Sequence, residues 1–449
     1  MVLRDAIARY HDLLSGDIAA ESQAQLDDQL RRRGLFFGDR PICTVLRPRF
    51  LTRAQYDFIR TRSLVLLGAF EKAYRAAMTD SNVRAQFGLT DWEEALVRHD
   101  PGYPTYGPTS RLDAFGSGPD DLRFTEYNAE VPAAVAYNDV LSEVFFALPI
   151  MREFLHEYEV RPLPARHSVL HALVDAFQRW RGRREAPRIA ILDWREVPTY
   201  SEFVLFDEYF KSQGLASVIT DPREVEYRNG RLVAGDFTIT LIYKRVLLSE
   251  LIDRGGIDHP VVRAVRDGAV CMVNPFRCKI LHKKASLAVL SDEANSYMFT
   301  PEEQAVIDAH IPWTRRIAER KTMYRGQPVD LIPLVLEHRE RFVVKSNDEY
   351  GGKGIVLGWL TSPSDWERAV RVGLDEPAVV QERITVPSEP YPSMIDSRLE
   401  VIDRMLDTNP YAFYGSYVDG CMTRLSTEAL LNVSAGGGST VATFVVEKR

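Results

Sequence analysis

FTEYNAEVPAA, residues 124–134, sets an acid and an amide, Glu126 and Asn128, two apart among aromatic and apolar residues. In a strand, positions i and i+2 share a face. Glu126 and Asn128 therefore project together, and Tyr127 points the other way. Two oxygen-bearing side chains on one face suit a hard cation such as Mg²⁺. The same residues also read as a polar strand end, with Asn128 opening the turn before Pro132. These residues alone leave both readings open, so the rest of the chain must separate them.

A chain of 449 residues is too long for one small core and implies roughly two to four domains. With 45% hydrophobic and 27% charged residues and no low-complexity tract, the composition is that of a globular protein. A net charge of −7 argues against a general nucleic-acid binder, which needs a basic surface. No apolar run approaches the roughly 20 residues that span a bilayer. MVLRDAIARYHDLL at the N-terminus reads as a helix with scattered charges rather than a signal core, so a cytoplasmic location is expected. The cysteines, Cys43, Cys271, Cys278 and Cys421, lack zinc-ligand spacing and read as small buried apolar residues.

The periodicity predicts helices near the N-terminus and over Leu51 to Met78. HDPGYPTYGPTS reads as loop. SRLDAF and LRFTEYN read as two short strands, and the GSGPDD between them makes a hairpin the natural connection. Residues 134–180 read as helical. From Pro187 the rhythm changes: PRIAILDW, ASVITD and ITLIYKRV read as strands around the helix FVLFDEYFKSQG, a small open α/β unit. The expected organisation is a helical segment 1–104, the hairpin with its helices over 105–185, the α/β unit over 186–275, and a nucleotide-binding core over 276–449.

RFVVKSNDEYGGKGIVLGW, residues 341–359, is a strand ending in Lys345, a Gly-rich turn, and a second apolar run. Glycines let backbone N–H groups approach an anion closely, and a lysine at the strand end can neutralise a phosphate. The pattern is not Walker A, because Gly354 stands where Ser or Thr should follow Lys353. It is not the dinucleotide fingerprint either, because a strand rather than a helix follows. A hairpin flap over phosphates and an ordinary Gly-rich hairpin both remain open.

Taken together, these segments resemble an ATP-grasp ligase. FVVKSNDEYGGKGIVLG looks like its lysine strand and glycine flap, AVVQERI like the strand entering its adenine hinge, and KKASLAVL like the segment carrying its other ATP lysine. The E-x-N match, Glu126-Tyr127-Asn128, precedes all of these. That order resembles the circularly permuted branch, typified by glutathionylspermidine synthetase and the eukaryotic-type glutathione synthetase. In the former an R-x-D strand precedes an E-Y-N-A strand, as Arg111-Leu112-Asp113 precedes Glu126-Tyr127-Asn128-Ala129 here. The likeness covers roughly residues 105–140 and 270–440. It does not extend to that enzyme's amidase domain or its substrate-side segments.

The resemblance implies an α/β (α+β) fold, a circularly permuted ATP-grasp with an inserted small α/β substrate domain and a helical N-terminal segment. It implies ATP and one or two Mg²⁺ ions as cofactors. Asp113, Glu126 and Asn128 would hold metal, and Arg111 would hold the substrate carboxylate, an Arg–Asp structural pair being the alternative. Lys345 and Lys284 would meet ATP phosphates, Lys283 being the rival one register step away. Tyr350, Gly351, Gly352, Lys353 and Gly354 would close over them. Gln381, Glu382, Arg383 and Ile384 would hold adenine; a solvated acid is the plainer reading of Glu382. Asn432 and Gly436 to Gly438, with Gly437 at the centre, would cap the site or form a plain turn. Arg424 would reach a phosphate or make a surface salt bridge. Lys244 and Arg245 end a strand that faces the substrate in this reading. The implied reaction joins a carboxylate to an amine through an acyl phosphate; a non-catalytic ATP-binding scaffold and a phosphotransferase are the alternatives. Expected partners are a small-molecule or peptide carboxylate and an amine, without nucleic acid or membrane, and a homodimer is compatible.

Overall fold

The computed structural model describes residues 2–349, 351–427 and 438–449. The protein is a mixed α/β structure organised by two sheets that face each other. The larger runs, in spatial order, Ser388–Ile395, Arg398–Leu406, Tyr417–Ser426, Asn409–Phe413, Thr109–Phe115 and Arg123–Asn128, with Ser439–Lys448 joining from the side. The smaller is antiparallel throughout: Thr314–Arg316, Ala378–Glu382, Phe342–Ser346, Ile355–Leu357.

The two stretches that opened the sequence reading lie on opposite sheets. Thr109–Phe115 and Arg123–Asn128 form an antiparallel hairpin in which Asp113 faces Glu126 and Arg111 faces Asn128, with a bulge between Asp113 and Ala114. The alternation is as the i, i+2 rule requires. Tyr127 turns into the core, where its ring stacks on Phe70 at 4.4 Å and its hydroxyl meets Tyr106 and Ser110. Burying that aromatic face fixes which side of the strand Glu126 and Asn128 occupy, since a one-residue slip would put Tyr127 in the cleft.

Phe70 belongs to the helix Arg53–Thr79, opened by a Thr52–Gln55 capping box. This helix packs into one core with the hairpin and with Ile280, Leu290 and Ile307 from the second half of the chain. Residues before 104 are therefore built into the body: Arg49–Leu51 pairs in parallel with Ser439–Lys448. Tyr158–Pro162 pairs with the same strand, inside a region that reads as helical from sequence. A separate four-stranded parallel sheet, Cys271–Val273, Leu241–Lys244, Arg188–Leu192, Ala216–Thr220, carries the α/β rhythm that begins at Pro187. Among the described residues, no helix is long and apolar enough to cross a membrane, and the four cysteines are buried and free.

Candidate active site

Between the two facing sheets lies a cleft. The larger sheet contributes Asp113, Glu126, Asn409 and Arg424, and Asp407 from the connection before Asn409; the smaller contributes Val343, Lys345, Ile355, Leu357 and Gln381. Gly351 and Gly352 reach it from the loop between Phe342–Ser346 and Ile355–Leu357. Both have positive φ, 63° and 80°, which is why glycine stands at each. At the other end Glu382, Ile384, Val386 and Trp359 form a mostly apolar slot.

The electrostatics alternate across the cleft. Lys345 donates to Gln381 Oε1 at 2.7 Å and to the Thr125 carbonyl at 3.1 Å. Burial pulls its ammonium down to about 8, against the attraction of Glu126. Lys284 Nζ stands 3.3 Å from Glu126 Oε1 and donates to the Glu349 carbonyl. Burial alone would raise Glu126, but Lys284 and Lys345 outweigh it and hold the carboxyl below its ordinary value. Asp113 is likewise held below its ordinary value despite burial, by Arg111 and Arg424 and by a hydrogen bond from Asn128.

Lys283 and Lys284, one residue apart, have different surroundings. Lys283 pairs with Glu93 at 2.6 Å and Asp348 at 3.1 Å. It joins a buried charge cluster in which Lys279 binds Asp348 at 2.7 Å and Lys244 binds Glu130 at 3.1 Å. This cluster fastens the start of the glycine loop to the segment before Lys284. The Asn347 carbonyl also accepts from the Lys284 N–H, and Asn347 Oδ1 from the Ala285 N–H.

Several expected residues stand elsewhere. Arg111 does not line the cleft: it grips Asp113 with Nε at 2.6 Å and Nη2 at 2.8 Å, and donates Nη1 to the Ala133 carbonyl at 3.0 Å. The guanidinium that does line the cleft is Arg424, which binds Asp407 at 2.6 Å and Asp113 at 2.9 Å. Lys353 and Gly354 line a groove on the opposite face of the smaller sheet. Glu382 lines the cleft; its N–H is bonded to the Trp313 carbonyl, and its Oε1 accepts from Tyr324 and Arg325. Arg383 lies over the Trp359 ring, 4.2 Å from its centroid. Lys244 and Arg245 are engaged in buried pairs with Glu130 and Glu202. Tyr350, Asn432, Gly436 and Gly437 lie outside the described residues; Gly438 directly precedes the strand Ser439–Lys448.

Asp407, Asn409 and Trp359 were not anticipated. The first two had a signal: Asp407-Thr408-Asn409 repeats the acid-x-amide spacing of Glu126-Tyr127-Asn128. A divalent cation fits this donor set in one way. Among the described residues no three His, Cys, Asp or Glu side chains are grouped as a metal cage. Two carboxylates and amide oxygens would leave positions for phosphate oxygens and water, which suits Mg²⁺.

No family model matches the chain, and no curated protein matches it. Among solved structures, a glutathione synthetase-like effector from Globodera pallida, in apo form, is similar with a TM-score of 0.59 at 12% identity, over 96% of this chain and 98% of that one. At that identity the likeness is one of fold, and it extends over nearly the whole of both chains. D-alanyl-alanine synthetase A from Vibrio cholerae O1 biovar eltor str. N16961 covers 57% of this chain and 74% of its own at a TM-score of 0.29 and 10% identity, too weak to carry an argument.

Proposed function

We infer that the protein is an ATP-dependent carboxylate–amine ligase of the circularly permuted ATP-grasp kind. The observation that carries this reading is that Lys345 faces Asp113 and Glu126 across one cleft with an apolar slot at its far end, while Lys284 pairs with Glu126 at 3.3 Å. Two cations, two hard oxygen donors and an apolar slot together suit a nucleoside triphosphate. Asp113 to Glu126 and residues from Val343 onward line the same cleft, which supports the permuted reading.

In this reading Val343, Leu357, Ile384 and Trp359 receive the adenine. Lys345 and Lys284 neutralise the phosphates. Asp113 and Glu126, with an amide, hold Mg²⁺, which when bound draws charge from the phosphate oxygens. Arg424 holds the acid substrate, because a guanidinium binds a carboxylate or phosphate in a fork. Its own orientation is set by Asp407 and Asp113. Arg111 serves Asp113 rather than the substrate. The carboxylate displaces ADP from the γ-phosphorus, and the amine then displaces phosphate from the acyl carbon. Catalysis is chiefly positioning and charge neutralisation, so no side-chain nucleophile is needed. The protein reads as cytoplasmic.

The test is a hydroxylamine trap. Given ATP, Mg²⁺ and a panel of carboxylic acids without amine, the enzyme should release ADP and form a hydroxamate with its own acid. A stable phosphate ester with an alcohol, and no hydroxamate with any acid, would make it a phosphotransferase. A thermal midpoint indifferent to millimolar-order ATP·Mg²⁺ would leave only a scaffold.

A further inference from the structure

Asn409 is fully buried, lines the cleft, and has no hydrogen-bond partner for either Oδ1 or Nδ2 among the described residues. A buried amide left without partners costs on the order of 1–3 kcal/mol for each group. Natural structures rarely tolerate that without a reason.

The sheet register says where this amide points. Tyr411 pairs with Arg111, and Thr408 bridges Ala114, which puts Asn409 directly across from Asp113. Asp113 in turn faces Glu126. Glu126, Asp113 and Asn409 thus form a row, one from each of three adjacent strands, on one wall of the cleft. Cross-strand neighbours of this kind lie about 5 Å apart. Asp113 and Arg424 are already bonded to each other and to Arg111 and Asp407. Asn409 stands beside them with its donors unused. Its opposite number in the sequence reading, Asn128, instead faces Arg111 and bonds Asp113.

We propose that Asn409 binds the γ-phosphate of ATP, its Nδ2 donating to a phosphate oxygen beside Arg424. This deepens the ligase reading and rests on it. The cleft's polarity sets the placement. The apolar slot of Ile384, Val386 and Trp359 takes the base, so the row of Glu126, Asp113 and Asn409 falls at the phosphate end. A γ-phosphate contact is the one phosphate contact that ADP cannot make.

The experiment measures Mg²⁺·ATP and Mg²⁺·ADP binding by calorimetry for wild type, Asn409→Leu and Asn409→Asp, with thermal midpoints of the free proteins. Asn409→Leu keeps the volume and removes the amide. It should weaken ATP at least tenfold and leave ADP within twofold, while raising the free protein's midpoint. Asn409→Asp should weaken ATP further, by adding a charge opposed to the phosphate. Equal losses for ATP and ADP in Asn409→Leu, or no loss, would overturn the γ-phosphate assignment and leave the ATP site standing. A lowered midpoint for both variants would overturn the premise that the amide is unpartnered. A wild type that binds neither nucleotide would sink the ligase reading, and this inference with it.

Discussion

Replacing Lys345 with methionine should separate function from stability. Lys345 is half-buried between the two sheets, and the distance from the ordinary lysine value of 10.5 to about 8 corresponds to about 3 kcal/mol against keeping it charged. Its hydrogen bonds to Gln381 and the Thr125 carbonyl return about 1 kcal/mol each. The balance predicts that Lys345→Met is about 1 kcal/mol more stable than wild type at neutral pH. The sign has a pH signature. Below about 8 the lysine is charged in both folded and unfolded chains, and the whole cost is present. Between about 8 and 10.5 the folded protein holds fewer protons than the unfolded one, so wild-type stability rises with pH. The variant's advantage should therefore shrink over that window. A lysine placed for a phosphate should behave differently towards ATP: losing one charge-assisted contact weakens binding roughly 10- to 200-fold. Urea unfolding at pH 7 and pH 10, with and without ATP·Mg²⁺, reads both effects. A variant that is several kcal/mol less stable at pH 7, as expected for a broken structural ion pair, would refute the reasoning. So would an undiminished ATP response.

The two acids of the hairpin should separate in the same assay. Glu126→Gln should fold normally and lose turnover by orders of magnitude. Asp113→Asn should lose turnover and also about 3–5 kcal/mol of stability, because it strands the buried Arg111. The arginines should divide likewise: Arg424→Lys should lose most of the hydroxamate signal with little change in the urea midpoint, whereas Arg111→Lys should lose stability first. At acid pH, Glu130 is held well below its ordinary value of 4.5 by Lys244 and Lys279 against burial. It contributes stability above pH 4.5 that is lost as pH falls through its folded value, so Glu130→Gln should flatten the acid limb of the stability profile.

Local geometry was legible in the sequence wherever one strand decides it. The face shared by Glu126 and Asn128, the hairpin around GSGPDD, the turn between Lys345 and Ile355, and the parallel strands after Pro187 all follow from period and turn chemistry. The strand Tyr158–Pro162 did not. Its partner Ser439–Lys448 lies almost three hundred positions away, and a five-residue strand beside helices has no period of its own strong enough to be read. The helices Pro301–His310 and Pro363–Asp375 were not read from the sequence either, although Thr300 and Ser362 cap them before a proline.

The arginines show why residue type and spacing do not assign a role. Arg111 and Asp113 share a face because they are two apart; the family resemblance implied a guanidinium holding the substrate carboxylate, with an Arg–Asp structural pair as the alternative. The same spacing brings the guanidinium within reach of the carboxylate on its own strand. Which outcome holds depends on how many of the donors are taken, and the Ala133 carbonyl decides that by binding the nitrogen the aspartate leaves over. Arg424 comes to Asp113 from a strand three hundred residues further along. It binds that carboxylate through Nη2 alone and gives Nε to Asp407, in the connection between Arg398–Leu406 and Asn409–Phe413, so its position depends on two acids from separate parts of the chain. Neither acid is near Arg424 in sequence. A side chain held in this way lines the cleft without being closed off from it, as the proposed contact with a substrate carboxylate requires.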